Sequence, residues 1–252
     1  MFEHTAIGSR IIDLTETRST NTVGLELIQS GKAEDGLVIT ASVQNEGRGQ
    51  HGSKWQSDPG ANLLASVILN LIDFPAQLHF HLNRMVSVAC CECVNEITGL
   101  KATIKWPNDM MIADQKIAGI LVENSIRGGS ITWSVVGVGI NLNQSKFEPF
   151  PIPVTSVQLL RSIRTDRSDA LQVLLKKLDH WYRIFRLKKY DVIRSAYSNN
   201  LYRYHEYSKF SDKDGTFEGM ITDVLEDGRI LITDKEKRKR IYSNKEIEFI
   251  FG

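Results

Sequence analysis

Cysteine is scarce in this 252-residue sequence, and the three that occur, Cys90, Cys91 and Cys93, lie close together. An odd, clustered set inside a stretch with helical character excludes a disulfide framework. His79 and His81 are nearby, but zinc ligands have to be spaced so that they converge on one ion. Small buried thiols in a reducing cytoplasm are therefore the better interpretation.

Long hydrophobic runs and an excess of one charge are also missing. No window approaches the roughly 18 consecutive apolar residues of a membrane span, and the first ten residues lack the pattern of a secretion signal. Lysine and arginine total 31 against 30 aspartate and glutamate, so the whole chain does not attract nucleic acid. We expect a cytoplasmic protein with neither a membrane nor a nucleic-acid partner, and any attraction to phosphate has to be local.

Most of the chain consists of strand-like segments separated by turn residues. The predicted strands are 10–14, 37–43, 62–70, 102–106, 110–113, 116–126 and 131–141. The last four follow one another with short turns, which predicts an antiparallel meander. Three helices are expected. They are 22–30, with N-caps in Ser19-Thr20-Asn21; 75–98, opened by Pro75 and ended by Gly99; and 168–189, with an apolar i, i+3, i+4 stripe.

The sequence pattern changes beyond residue 205, where five short predicted strands are separated by turn residues. This pattern predicts a small five-stranded barrel, and we place the domain boundary between 1–204 and 205–252. The basic run KEKRKR at 235–240 is expected at a solvated hairpin tip rather than in a nucleic-acid interface.

The loop GRGQHGSKW at 47–55 is the first candidate for chemistry. Gly47, Gly49 and Gly52 let backbone N–H groups approach an anion closely. Arg48 adds a permanent charge with a planar donor fork. A glycine-spaced loop alone is equally typical of an ordinary turn.

The segment KWPND at 105–109 is more specific. Lys105 ends a strand, and Asn108 with Asp109 presents an amide and a carboxylate where the chain bends. A carboxylate beside phosphates is unfavourable unless a metal intervenes, which implies Mg²⁺ at Asp109. The alternative is a polar β-turn, because Pro-Asn-Asp is good turn chemistry in any protein.

Lys116 opens the next apolar strand, and Gly137 and Gly139 interrupt a β-branched strand that ends at Asn141. Glycines in such a strand often mark the close approach of a ligand. The pattern therefore favours a cation at the rim of an apolar floor, although a solvated strand end would also place a lysine there.

Taken in order along the chain, these motifs resemble biotin protein ligase (biotin–[acetyl-CoA-carboxylase] ligase) in the short form without a DNA-binding domain. The resemblance rests on STN at 19–21, Gln44, the glycine loop, GANL at 60–63, KWPND, QKIAGILVE at 115–123, GVGIN at 137–141 and the terminal strands. It implies an α+β fold, with a class II synthetase-like catalytic domain built on a mixed sheet, plus a small C-terminal SH3-like β-barrel.

The resemblance also implies an activity and a set of site residues. Biotin would be activated with ATP and Mg²⁺ as biotinyl-5′-AMP and transferred to a lysine of a biotin carboxyl carrier domain. Lys116, Arg48 and Asp109 would be catalytic, with Asp109 at the metal. The binding residues would be Ser19, Thr20, Gln44, Gly47, Arg48, Gln50, Trp55, Lys105, Asn108, Lys116, Gly119, Leu121, Gly137, Gly139 and Asn141.

The sequence departs from one common family pattern, since Gln50 and His51 stand where some members have two arginines. One fixed cation is thus missing from the loop, which leaves open how tightly the reactive intermediate is retained.

Two other functions are compatible with parts of this pattern. A lipoate–protein ligase shares the fold, but KWPND and QKIAGILVE favour biotin. A biotin-sensing repressor would need a winged helix-turn-helix, for which nine residues before Arg10 are too few. A homodimer through exposed strand edges stays an open expectation.

Overall fold

The structure is a computed structural model and describes residues 7–251. Twelve strands and five α-helices occur in that range. The strands are β1 Ile11–Thr17, β2 Val38–Gln44, β3 Leu63–Pro75, β4 Ala102–Lys105, β5 Asp109–Ile112, β6 Gln115–Arg127, β7 Ser130–Ile140, β8 Tyr207–Asp212, β9 Gly215–Val224, β10 Ile230–Asp234, β11 Lys239–Tyr242 and β12 Glu248–Phe249. The helices are α1 Thr20–Gln29, α2 His79–Thr98, α3 Val157–Arg161, α4 Arg167–Arg186 and α5 Tyr190–Asn199.

The first seven strands form one mixed sheet in the order β1-β2-β3-β7-β6-β5-β4. Strands β1 and β2 pair in parallel, and the other neighbours are antiparallel. The predicted meander of β4 to β7 is confirmed. Gly128 and Gly129, with φ of 58° and 81°, make the tight turn that joins β6 to β7. The predicted α+β class is confirmed.

The sheet is covered on both faces, but unequally. Helices α2, α4 and α5 build the large core on one face, where the stripe of α4 is buried as expected. The N-cap Asp166 starts α4 by accepting hydrogen bonds from the backbone N–H groups of Ser168 and Asp169. On the other face, α1 packs on a small cluster around Leu37, Ile39 and Ile68. Most of that second face is therefore left for the loop at 47–55.

Two helix predictions are corrected. The helix expected from Pro75 begins at His79, after a short 3₁₀ turn at Ala76–Leu78, because β3 continues to Pro75, which pairs with Ser130 of β7. Its end at Gly99 is confirmed, with φ of 65°. Ser19 is the N-cap residue of α1, but within the described chain its side chain makes no capping hydrogen bond.

The last five strands form a second, antiparallel sheet in the order β11-β10-β9-β8-β12. Arg84 of α2 is fully buried against it and donates to the carbonyl oxygens of Val224 and Leu225 at 2.7 and 2.9 Å. Trp106 donates its indole N–H to the Gly228 carbonyl oxygen at 2.8 Å. These bonds fix the second sheet beside the KWPND segment. No helix within residues 7–251 is long and apolar enough to cross a membrane.

The basic run at 235–240 lies at the exposed connection between β10 and β11, as predicted. Basic side chains of this run form ion pairs with nearby carboxylates. Arg238 and Arg240 both pair with Asp234, and Lys235 pairs with Glu218. The run is therefore a hairpin tip with its own carboxylate partners.

The three cysteines are free thiols buried in α2. Burial raises the pKa of the Cys91 and Cys93 thiols to about 12 and holds that of Cys90 well above its ordinary value. Because the thiolate is the reactive form, we expect the native protein near pH 8 to resist iodoacetamide, and all three thiols to react after unfolding in guanidinium. Mass spectrometry of the alkylated protein measures this. Rapid labelling of the native fold would contradict the burial.

Candidate active site

A floor in which three of four facing positions are glycine lies where β6 and β7 pair. Gly119 stands opposite Gly139, and Leu121 opposite Gly137. A Cβ on Gly139 would lie 2.5 Å from the Trp55 indole, and one on Gly137 would lie 2.2 Å from Asn21 Oδ1. Neither contact is tolerated by a real side chain, so the two covering residues come this close only because the floor is glycine. The floor is a candidate binding surface for a flat apolar group.

The polar end of the floor is built by the first residues of α1. Ser19, Thr20 and Asn21 are buried. The Gln44 amide oxygen accepts hydrogen bonds from the backbone N–H and hydroxyl of Thr20, at 2.7 and 3.0 Å. Ser66 Oγ lies 2.7 Å from Thr20 Oγ1 and 2.6 Å from Asn21 Oδ1. These side chains form one connected network of donors and acceptors beside the apolar floor.

Charge is concentrated at the opposite end, where KWPND meets β6. Lys116 Nζ lies 2.6 Å from Asp109 Oδ1, and both side chains are largely buried, at 14% and 20% exposure. Burial lowers the pKa of Lys105, while Asp109 raises it and Lys116 lowers it further. Both lysines therefore interact electrostatically with the carboxylate of Asp109. Lys105 Nζ also lies 4.9 Å from the centre of the Phe249 ring in the second sheet.

The connection after β7 returns over Lys116. The backbone N–H of Lys116 donates to the Pro153 carbonyl oxygen at 2.8 Å, and its own carbonyl oxygen accepts from Thr155 at 2.9 Å. Lys116 Nζ lies 5.5 Å from the Phe150 ring and 5.6 Å from the Trp55 ring. A cation held between two aromatic faces is well placed to meet an anion that enters along the floor.

Two amides of the KWPND and GVGIN motifs hold this end together. Asn108 is buried and donates to the Ile120 carbonyl oxygen. Asn141 donates to the Thr155 carbonyl oxygen at 3.0 Å. Within residues 7–251, the Asn141 Oδ1 atom and the Trp55 indole nitrogen are buried without a hydrogen-bond partner. Buried polar atoms are normally paired, so these two atoms are exceptions to that rule.

Arg48 is placed differently from the two lysines. Its guanidinium pairs with Glu123 at 2.9 Å and is 42% exposed. In the same loop, Gln50 accepts a hydrogen bond at 2.7 Å from the amide of Asn244, which lies in the turn between β11 and β12. The glycine loop is thus attached to β6 at one point and to this turn at another.

The structure brings most of the predicted residues into one region, in three groups. The polar end contains Ser19, Thr20, Gln44 and Gly47; the floor contains Trp55, Gly119, Leu121, Gly137 and Gly139; the charged end contains Lys105, Asn108, Asp109, Lys116 and Asn141. Sequence reasoning missed Asn21, Ser66, Glu123 and Phe150. Asn21 and Glu123 belong to quoted motifs, and Ser66 is a lone hydroxyl in an apolar strand, whereas Phe150 carries no signal of its own.

The site consists of an apolar floor with a polar network at one end and the Lys116–Asp109 pair at the other. It lies on a mixed sheet, with a second small sheet beside it. This combination indicates an enzyme that joins an acid to an acceptor. The family model of the biotin/lipoate A/B protein ligases matches residues 14–141. The chain belongs to this family, which confirms the expected resemblance.

Individual relatives agree with this assignment. The chain is 28% identical over 241 residues to the bifunctional ligase/repressor BirA of Bacillus subtilis, covering 94% of this chain and 73% of the relative. It is 29% identical over 222 residues to a biotin–[acetyl-CoA-carboxylase] ligase of Paracoccus denitrificans, covering 82% and 89%. The structure of the biotin protein ligase from Aquifex aeolicus with biotin and ATP matches with a TM-score of 0.77 at 25% identity, covering 97% and 100%.

Proposed function

We propose that the protein is an ATP-dependent biotin–protein ligase. The observation that carries this proposal is the Lys116–Asp109 pair at the edge of a glycine floor, since a cation there meets the acid group of a ligand whose body lies on the floor. Family membership and the biotin ligases among the relatives support biotin as that acid.

The site residues take the following proposed roles. Ser19, Thr20 and Gln44 bind the ureido head of biotin, with backbone atoms of Gly47 and Arg48 helping. The apolar pocket and its cover consist of Trp55, Gly119, Leu121, Gly137 and Gly139. Lys116 contacts the biotin carboxylate and the α-phosphate. ATP and Mg²⁺ are held by Arg48, Lys105, Asn108, Asp109 and Asn141, and Gln50 is a further binding residue of the glycine loop.

A carboxylate is a poor electrophile because its leaving group would be oxide, so the acid must first be activated. In the first step a carboxylate oxygen attacks the α-phosphorus of ATP, the bond to the β-phosphate oxygen breaks, and pyrophosphate leaves. Two anions have to meet, which requires fixed positive charge at the reacting atoms. Lys116 and Lys105 supply it, and Asp109 acts against the lowering of the Lys105 pKa by burial.

Asp109 fits a magnesium ion that arrives with ATP. Mg²⁺ is usually held by one or two carboxylates together with substrate phosphates, and Asp109 is one carboxylate in a region of two lysines. The ion would neutralise phosphate charge. Asp109 would then hold the metal instead of pairing only with Lys116.

In the second step a lysine of the acceptor attacks the acyl carbon, a C–N bond forms, and AMP leaves with the electrons of the broken C–O bond. The amine must lose a proton, and we assign Asp109 as its acceptor. Between the steps the anhydride has to be kept from water. The loop at 47–55, with Trp55 seated on the floor, excludes water from the acyl group.

The remaining assignments follow from this function. Residues 1–204 form the catalytic domain and 205–252 the SH3-like domain. The acceptor is the carrier domain of a biotin-dependent carboxylase in the cytoplasm, and nucleic acid is not a partner. A homodimer that pairs edge to edge through exposed strands of the meander is the proposed assembly.

Incubation with labelled biotin, ATP–Mg²⁺ and a biotin carboxyl carrier domain tests the function. We expect the label on one carrier lysine, and pyrophosphate release that depends on biotin. Lipoate in place of biotin separates the two enzymes of the family, because transfer of lipoate alone would assign the chain to lipoate ligation. Biotin binding without any transfer would instead indicate a non-catalytic regulator.

Arg48→Ala is expected to weaken the binding of both ATP and biotin, since Arg48 contributes charge for the phosphates and also attaches the loop to β6 through Glu123. An exposed ion pair predicts a loss of about three- to tenfold for each ligand. Calorimetry on the variant measures both affinities, with Arg127→Ala on the exposed end of β6 as control. Unchanged affinities would contradict the assignment of the loop.

A further inference from the structure

The carboxylate of Glu123 joins two parts of the site. Its Oε2 atom accepts a hydrogen bond from Arg48 at 2.9 Å and another from the Asn21 amide at 2.8 Å. Asn21 is itself held by the Leu121 carbonyl oxygen at 3.3 Å and by Ser66 Oγ at 2.6 Å. Asn21, at the start of α1, therefore holds the Glu123 carboxylate in place. The same carboxylate pairs with Arg48, the one arginine of the glycine loop.

This partner keeps Arg48 away from Lys116. Lys116 Nζ leans over the floor to within 3.4 Å of the position that a Gly119 Cβ would take. Glu123 lies four positions after Gly119 in β6, so their Cα atoms are about 13 Å apart at the rise of a strand. While Arg48 stays on Glu123, its guanidinium is therefore held at the Asn21 side of the floor, whereas Lys116 is held at the Asp109 side.

We propose that Glu123 is a positioning residue that holds Arg48 as a counter-ion until the nucleotide binds and then releases it to the phosphates. This inference rests on the proposed function, because it requires that ATP occupies the charged end of the floor. Glu123 competes with the phosphates for the same guanidinium, so it lowers the affinity of the enzyme for ATP. In return it keeps the glycine loop attached to β6 before ATP arrives.

The competition predicts a gain of affinity on removing the charge. Glu123→Gln keeps the size of the side chain and an amide oxygen for Asn21, but it weakens the contact with Arg48. Calorimetry with ATP–Mg²⁺ in the absence of biotin should give about fivefold tighter binding, the size expected of a partly exposed ion pair. The same substitution in an Arg48→Ala background should change nothing, because no guanidinium is left to be released.

The Arg48→Ala background separates two effects of Glu123→Gln. One is the release of Arg48 from Glu123 to the phosphates, and the other is the general effect of removing a negative charge near ATP. Equal tightening in both backgrounds, or unchanged or weaker binding in Glu123→Gln, would overturn the proposal. If Glu123→Gln does not fold, Glu123→Asp keeps the charge but shortens the side chain, and a smaller tightening that needs Arg48 is expected. A wild-type protein without biotin-dependent pyrophosphate release rejects the proposed function, whereas an active wild type with an unaffected Glu123→Gln rejects only this inference.

Discussion

Lys116→Ala is expected to reduce the rate of biotin-dependent pyrophosphate release by about 10²- to 10³-fold, the loss typical of removing one fixed group that stabilises developing charge. Lys116 is the cation nearest to the floor, with Asp109 at 2.6 Å and two aromatic rings around its Nζ atom. Without it, the carboxylate of biotin and the α-phosphate would meet beside the unneutralised Asp109.

Binding of biotin itself should remain measurable in this variant, because the proposed ureido contacts at the polar end of the floor do not involve residue 116. Calorimetry for biotin and a coupled assay for pyrophosphate separate the two effects. Lys213→Ala, at the exposed turn between β8 and β9, is the matched control and should leave both unchanged. Pyrophosphate release at the wild-type rate in Lys116→Ala would remove Lys116 from the mechanism.

Gly139→Val should abolish most of the affinity for biotin. A Cβ at residue 139 would lie 2.5 Å from the Trp55 indole, so the Trp55 side chain has to move. The two methyl groups of valine would then occupy space above the floor. Overpacking of a close-packed site costs about 1–3 kcal/mol, which corresponds to roughly a 5- to 150-fold loss of binding.

The change in tryptophan fluorescence, compared with that of a Trp55→Phe variant, and calorimetry with biotin report the two consequences of this substitution. Ser130→Val, at the first residue of the same strand, changes a residue of β7 far from the floor and serves as the control. Thermal unfolding of both variants shows whether the sheet tolerates the change. Wild-type biotin affinity in a folded Gly139→Val protein would show that the floor is not the biotin site.

The parts of the fold that could be predicted are those written into local patterns. The meander, the buried stripe of α4 and the close approach at Gly137 and Gly139 all follow from strand succession, periodicity or a missing side chain. The start of α2 was wrong because proline is compatible with both a first helical turn and a strand end, and the pairing of Pro75 with Ser130 decides between them. Helix α5 was not predicted, since Ile193 and Tyr197 are its only buried residues.

The parts of the site that could not be predicted depend on contacts between distant residues. Arg48 was expected beside the two lysines, but its ion-pair partner is Glu123, 75 residues later. The residues of STN were expected as helix caps, yet Thr20 bonds to Gln44 and Asn21 to Glu123. Residue types and spacing therefore indicate which groups take part in the site, while their pairing is set by the packing of α1 and the glycine loop on the sheet.

The bond between Gln50 and Asn244 spans 194 positions of the chain. Ribosomes add about 5–20 residues per second, so the amide that anchors the loop is made roughly ten to forty seconds after the loop itself. Phe249, which lies against Lys105, is made later still. A nascent chain can thus complete its large sheet well before these two contacts form, and the newly made protein would acquire a fully assembled site only after residue 249 has been added.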